Sequence, residues 1–80
     1  MKIWTMLTIV DFHHEVYVFT SEAAALQAQR EFVWENWSRD DAEEFGPTSE
    51  DELPDEICDE WLEYNQESFQ CHIEEHEATS

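Results

Sequence analysis

Positive charge is almost missing from this sequence: Lys2, Arg30 and Arg39 are the only lysines and arginines in 80 residues. Contacts to DNA, RNA or an anionic lipid surface rest on such side chains, so direct binding to any of the three is not expected. Glycine occurs once, at Gly46, and no Gly-rich loop is available to cradle a phosphate. Cysteine occurs twice, as Cys58 and Cys71. Without an export signal, that pair reads as reduced, semi-buried thiols in a cytosolic protein rather than as a disulfide. Long apolar runs are lacking too. The stretch 3–10 after Lys2 is broken by Thr5 and Thr8 and has no small-residue cleavage site, so neither a secretory signal nor a membrane span is expected.

What is present in excess is acid. Twenty-one Asp and Glu residues give a formal net charge of -18, and the natural complement of that field is a cationic partner. The chain is also 41% hydrophobic and 14% aromatic, too rich in apolar side chains for a disordered acidic tail. A single domain spanning 1–80 follows, with one core. Repulsion among its carboxylates, screened over about 8 Å at physiological ionic strength, should be relieved by salt or acid, which are expected to stabilise it.

The apolar pattern predicts the architecture. Residues 2–10 are hydrophobic on both alternating faces, which suits a strand that is central or covered on both sides. A second strand over 15–20 is β-branched and aromatic, and Asp11, His13 and His14 between the two suit a hairpin turn. Thr20 or Ser21 can cap a helix from Glu22 to Trp37 or Ser38. In it Leu26, Val33 and Trp37 form the stripe facing the sheet, flanked by Ala23 and Trp34. Ala25 and Phe32 point elsewhere and could receive a second helix. The acidic stretch 40–52, broken at Gly46-Pro47, reads as a connecting loop. Pro54 then opens a helix ending near Gln66, with Ile57, Trp61 and Tyr64 on its apolar face, broadened by Cys58 and Leu62. Alternation of Phe69, Cys71 and Ile73 with polar residues marks a last strand, and the tail from Glu77 is expected to fray. The predicted fold is therefore α+β, in the order β-β-α-α-β: a three-stranded, mainly antiparallel sheet with two helices packed on one face.

The acidic half carries the functional expectation. No Lys or Arg follows Arg39. Glu52, Glu56, Asp59, Glu60 and Glu63 recur at spacings of three and four, and like charges so placed destabilise a helix by about 0.2–0.5 kcal/mol per pair. Successive turns stand about 5.4 Å apart, comparable with the interval between phosphates on one strand, so side chains built to hold phosphates could meet these carboxylates instead. Asp40, Asp41, Glu43, Glu44, Glu50, Asp51 and Asp55 extend the same surface. The plainer alternative is a solvated face that keeps the protein soluble. An acid-rich composition of the salt-loving type is disfavoured, because Glu outnumbers Asp and the chain has four tryptophans. A different class of function, a noninhibitory interaction module, would use an apolar or aromatic patch, with Trp34 the tryptophan expected to be partly exposed.

Other chemistry finds little support. His72-Ile73-Glu74-Glu75-His76 matches a zinc-peptidase spacing that requires a helix, whereas on a strand the histidines stand about 13 Å apart. Asp41, Glu43, Gly46 and Glu52 fall at four positions of a calcium loop, but Phe45 stands at the fifth-position ligand and Pro47 follows the glycine. No cofactor, metal or catalytic residue is expected.

With a hairpin leading to Thr-Ser-Glu-Ala-Ala-Ala, a helix ending Val-Trp-Glu-Asn-Trp, an acidic loop and a closing Phe-Gln-Cys-His-Ile-Glu-Glu-His-Glu, the chain resembles small acidic proteins of phages and mobile elements. In size and charge it also resembles anti-CRISPR proteins and other phage-encoded inhibitors of nucleic-acid enzymes. That likeness is one of type, without a shared motif. It implies inhibition by occlusion of a basic surface on a nucleic-acid-binding protein or CRISPR effector complex, in the cytoplasm of a bacterial host.

Overall fold

With β-branched and aromatic side chains along its length and no proline to interrupt pairing, Lys2–Val10 forms the first strand, β1. The computed structural model describes residues 1–77. The chain reverses over Asp11-Phe12 alone, at φ 47° and 71°. Positive φ at both central residues is the requirement of a type I′ turn, whose twist matches that of paired strands. Because two residues suffice, His13 and His14 are not turn residues: they open β2, His13–Phe19, whose register with β1 runs from Trp4↔Phe19 to Val10↔His13.

Ser21 accepts from the Ala24 amide at 3.1 Å and starts α1, Glu22–Glu35. The segment expected as a plain loop contains a further helix, α2, Arg39–Phe45. Its origin is local. The Ser38 hydroxyl accepts from the Asp41 amide at 3.2 Å, and the Asp41 carboxylate accepts from the Ser38 amide at 2.9 Å and hydroxyl at 3.0 Å. This reciprocal cap uses Asp where Glu or Gln is usual. The break expected at Gly46-Pro47 is real and ends α2, with Gly46 at φ 106°. A single 3-10 turn, Glu50–Glu52, leads to Pro54 as N-cap of α3, Asp55–Tyr64. Strand β3, Phe69–Glu77, pairs antiparallel with β1 from Lys2↔Glu77 to Val10↔Phe69. Glu77 is thus paired rather than frayed, and the N-terminal ammonium lies 3.3 Å from its carboxylate. The rest of the expected tail lies outside the described residues.

The sheet order β2-β1-β3 puts β1 in the centre. With α1 against β1 and β2, and α3 against β3 and α1, the class is α+β with three helices in place of two. The expected apolar stripes are met in part: Val33 on α1 and Cys58 and Trp61 on α3 are buried, but other members of the stripes are not. On α1 the buried residues are Ala25, Gln29 and Val33, a strict spacing of four, while Leu26 is half-buried and Ala23 exposed. Ala25 is fully buried and Phe32 reaches the Phe69 ring at 6.5 Å, edge-on. On α3 Cys58 and Trp61 are buried, whereas Tyr64 in the last turn is 71% exposed. Val33, Leu53, Cys58 and Trp61 form the centre of the core, which Trp61 joins to Trp37 and Phe69 with ring centroids 6.4 and 5.2 Å apart.

Along β1, Met6 and Thr8 are buried under the helical layer. The Cα envelope is 16 Å across its thinnest direction, which accommodates one sheet and one layer of helices. The other face of β1, with Ile3, Leu7 and Ile9, is covered by no element among the described residues, and beside it Val16 and Val18 are 65% and 63% exposed.

Candidate functional site

All the carboxylates except Asp11, Glu15, Glu74, Glu75 and Glu77 lie on the chain between β2 and β3. That connection holds every helix, so one layer of the molecule carries most of the negative charge.

Within it the acidic residues divide by what they touch. Asp41 caps α2. Glu52 accepts from the Thr48 amide and hydroxyl, both at 3.1 Å. Asp55 lies 3.2 Å from Arg30, a pair that ties the start of α3 to α1. These three have partners within the chain. Asp40, Glu43, Glu44, Asp51, Glu56, Asp59, Glu60 and Glu63 are exposed, and Glu50 is half-exposed.

Two helices bring part of this set together. Glu44 and Phe45 at the end of α2, with Glu60, Glu63 and Tyr64 at the end of α3, line an open cleft of about 350 Å³. The Phe45 ring packs edge-on against Tyr64 at 6.1 Å and lies tilted against Trp37 at 5.8 Å, so the aromatic floor is anchored to the core. Carboxylates around an accessible aromatic surface suit a guanidinium or ammonium group, which gains charge-assisted hydrogen bonds and attraction to the ring face. Phe45 and Tyr64 were not legible as site residues. Phe45 sits in an acidic run, and Tyr64 shares the spacing of the buried residues of α3.

The helix ends sharpen the point. Neither α2 nor α3 has a basic residue in its last turn, and Glu43, Glu44 and Glu63 lie there instead. Negative charge at a helix C-terminus opposes the macrodipole at a cost of about 0.3–1 kcal/mol each. Stability alone does not select that placement.

Elsewhere the structure offers less chemistry. Residues 41–45 are helical, so the calcium-loop spacing from Asp41 to Glu52 does not form a loop. His72 and His76 lie on β3. No group of three or more His, Cys, Asp or Glu among the described residues is placed to hold a metal ion, and no helix among them is long and apolar enough to cross a membrane. Trp34 is half-buried and stacks on Trp37 at 5.9 Å. On β2, hydrogen bonds from Tyr17 and His13 hold the Glu15 carboxyl below its ordinary range, and the same bond to Glu15 pushes the Tyr17 phenol up. Their stabilisation is present at neutral pH and fades as the pH falls through the lowered Glu15 value.

Both cysteines are free. Burial pushes each thiol up to about 11, which keeps the nucleophilic thiolate scarce. At pH 8 a disulfide reagent should therefore label the native protein slowly and the urea-unfolded protein rapidly, with two thiols released per chain. Burst labelling of both thiols in the native protein would contradict the burial of Cys58.

Comparison of the chain with protein-family models, curated proteins and solved structures finds no match.

Proposed function

We propose that the protein is an acidic nucleic-acid mimic that occupies a Lys/Arg-lined groove on a bacterial defence or DNA-processing protein and so excludes nucleic acid from it, in the manner of anti-CRISPR inhibitors. The observation that carries this reading is the convergence of Glu44, Glu60 and Glu63 from two helices on the Phe45–Tyr64 cleft. A solvated surface has no need of an aromatic floor, nor of carboxylates at the helix ends where they cost stability. Asp40, Glu43, Glu50, Asp51, Glu56 and Asp59 extend the negative field from that centre and steer a basic partner towards it. No catalytic step and no cofactor enters this reading.

The test uses the intact chain immobilised and exposed to a bacterial lysate, with bound proteins challenged by short duplex DNA. Proteins held by mimicry leave when the duplex is added, and also when salt rises from about 50 to about 500 mM, because polyelectrolyte contacts weaken steeply with salt. Retention of the same proteins through both challenges would remove the proposal.

A further inference from the structure

The bare face of the sheet is the chemical opposite of the helical layer. Its apolar residues are Ile3, Leu7 and Ile9 on β1 with Val16 and Val18 on β2. The register sets Leu7 between Val16 and His72, and Ile9 between His14 and Gln70. A contact of 3.1 Å between the Thr5 hydroxyl and the His76 ring places both on the same face. Of the carboxylates among the described residues, Glu74 alone belongs to it, opposite Thr5. The rest of its polar content is Thr5, Gln70 and the imidazoles of His14, His72 and His76.

We infer that two copies of the chain associate face to face through these sheets. Charge selects both the surface and the occupant. Each copy carries a formal charge of -18, and approach through any helical surface sets carboxylate against carboxylate. The sheet face is where two copies can meet without that penalty. Stacked sheets about 10 Å apart leave the two acidic layers on the outside, as far from each other as the fold allows. A basic partner has the contrary requirement: it gains from carboxylates, and this face is depleted of them.

Area sets the strength. Strands of about nine residues at 3.3 Å each, three abreast at about 4.8 Å, project about 400 Å² per copy. Side-chain relief enlarges this towards the roughly 600 Å² per partner of the smaller specific interfaces. Phe12, 98% exposed at the hairpin tip, adjoins the same sheet. The association is therefore reversible, with a dissociation constant in the micromolar range. It is independent of the mimic reading and has the opposite salt dependence: screening strengthens it while weakening the hold on a basic target.

Sedimentation equilibrium of the intact chain, from about 5 to 500 μM and at about 0.15 and 0.5 M NaCl, tests the proposal. The mass is expected to climb from 9.6 kDa towards twice that value, at lower concentration in the higher salt. The double variant V16E/V18E places charges at two exposed positions and should be monomeric throughout. A milder variant, V16T/V18T, keeps β-branched side chains of similar volume and should weaken association at least tenfold with an unchanged circular dichroism spectrum. A wild-type chain that stays monomeric to 500 μM in high salt overturns the inference, leaving the face to a foreign partner. So does a dimer unaffected by either substitution, which would assign the contact to a sheet edge.

Discussion

With Glu44, Glu60 and Glu63 reversed to lysine, binding to the proteins displaced by duplex DNA is expected to fall at least 100-fold, while the domain stays folded. Two of the substitutions put a cation in the last turn of a helix that has none, a change that favours the helix by about 0.3–1 kcal/mol. The third relieves a like-charge pair, since Glu56 and Glu60 stand four apart on α3 and Glu56 is unchanged. Thermal stability should therefore hold or rise as binding disappears. Reversing Glu31, Glu67 and Glu77, which are exposed and outside the cleft, changes the net charge equally. Affinity should then fall only a few-fold through slower encounter. Binding measured by interferometry at fixed salt separates the two. Equal losses in both variants would mean that bulk charge governs the interaction and that the cleft has no special part.

Trp61→Ala should cost a large share of the stability of the domain. The indole is 1% exposed and packs between Trp37 and Phe69, and truncating so large a buried side chain costs about 3–5 kcal/mol. Small domains of this length have about 4–12 kcal/mol in total, so the loss is at least about a quarter of the stability, and the urea midpoint is expected to fall in proportion. Trp61→Phe is informative beside it. The indole N–H is buried and meets no hydrogen-bond partner among the described residues, a desolvation penalty of about 1–3 kcal/mol that phenylalanine does not incur. Its net loss should stay below about 2 kcal/mol despite the lost volume. Urea titration of both variants at low protein concentration gives the comparison, and a midpoint for Trp61→Ala close to wild type would contradict this packing.

Strands were legible because alternation survives any tertiary context. The period-two pattern of Phe69, Cys71 and Ile73 is carried into β3, and the two-sided apolarity of β1 marked it as central. That same signal is ambiguous about cover: it describes a strand buried on both faces equally well, and only the coordinates show one face bare. The missed helix has a different cause. In Ser-Arg-Asp-Asp the capping residue is present, but its reciprocal partner is Asp41, and the like charges of 40–44 argue against a helix by propensity. Three side-chain hydrogen bonds between Ser38 and Asp41 outweighed that repulsion. Leu53 lies isolated in an acidic run and gave no periodic signal, yet it is 2% exposed at the core. Individual acids of the site were visible as an excess on α3. The cleft was not, because the approach of Glu44 to Glu60 and Glu63 is a tertiary fact, set by where Gly46 ends α2 and where Phe45 lands.

That landing governs how the acidic layer responds to load. Helix α2 buries no residue of its own and is held by its two caps and the Phe45 ring, whereas α3 is fastened through Cys58 and Trp61. Segments with few buried apolar contacts open at low free energy, so amide protons of α2 should exchange with solvent well before those of α3. In the proposed mimic, a basic groove would thus meet one firmly held wall, α3, and one that opens more readily, α2.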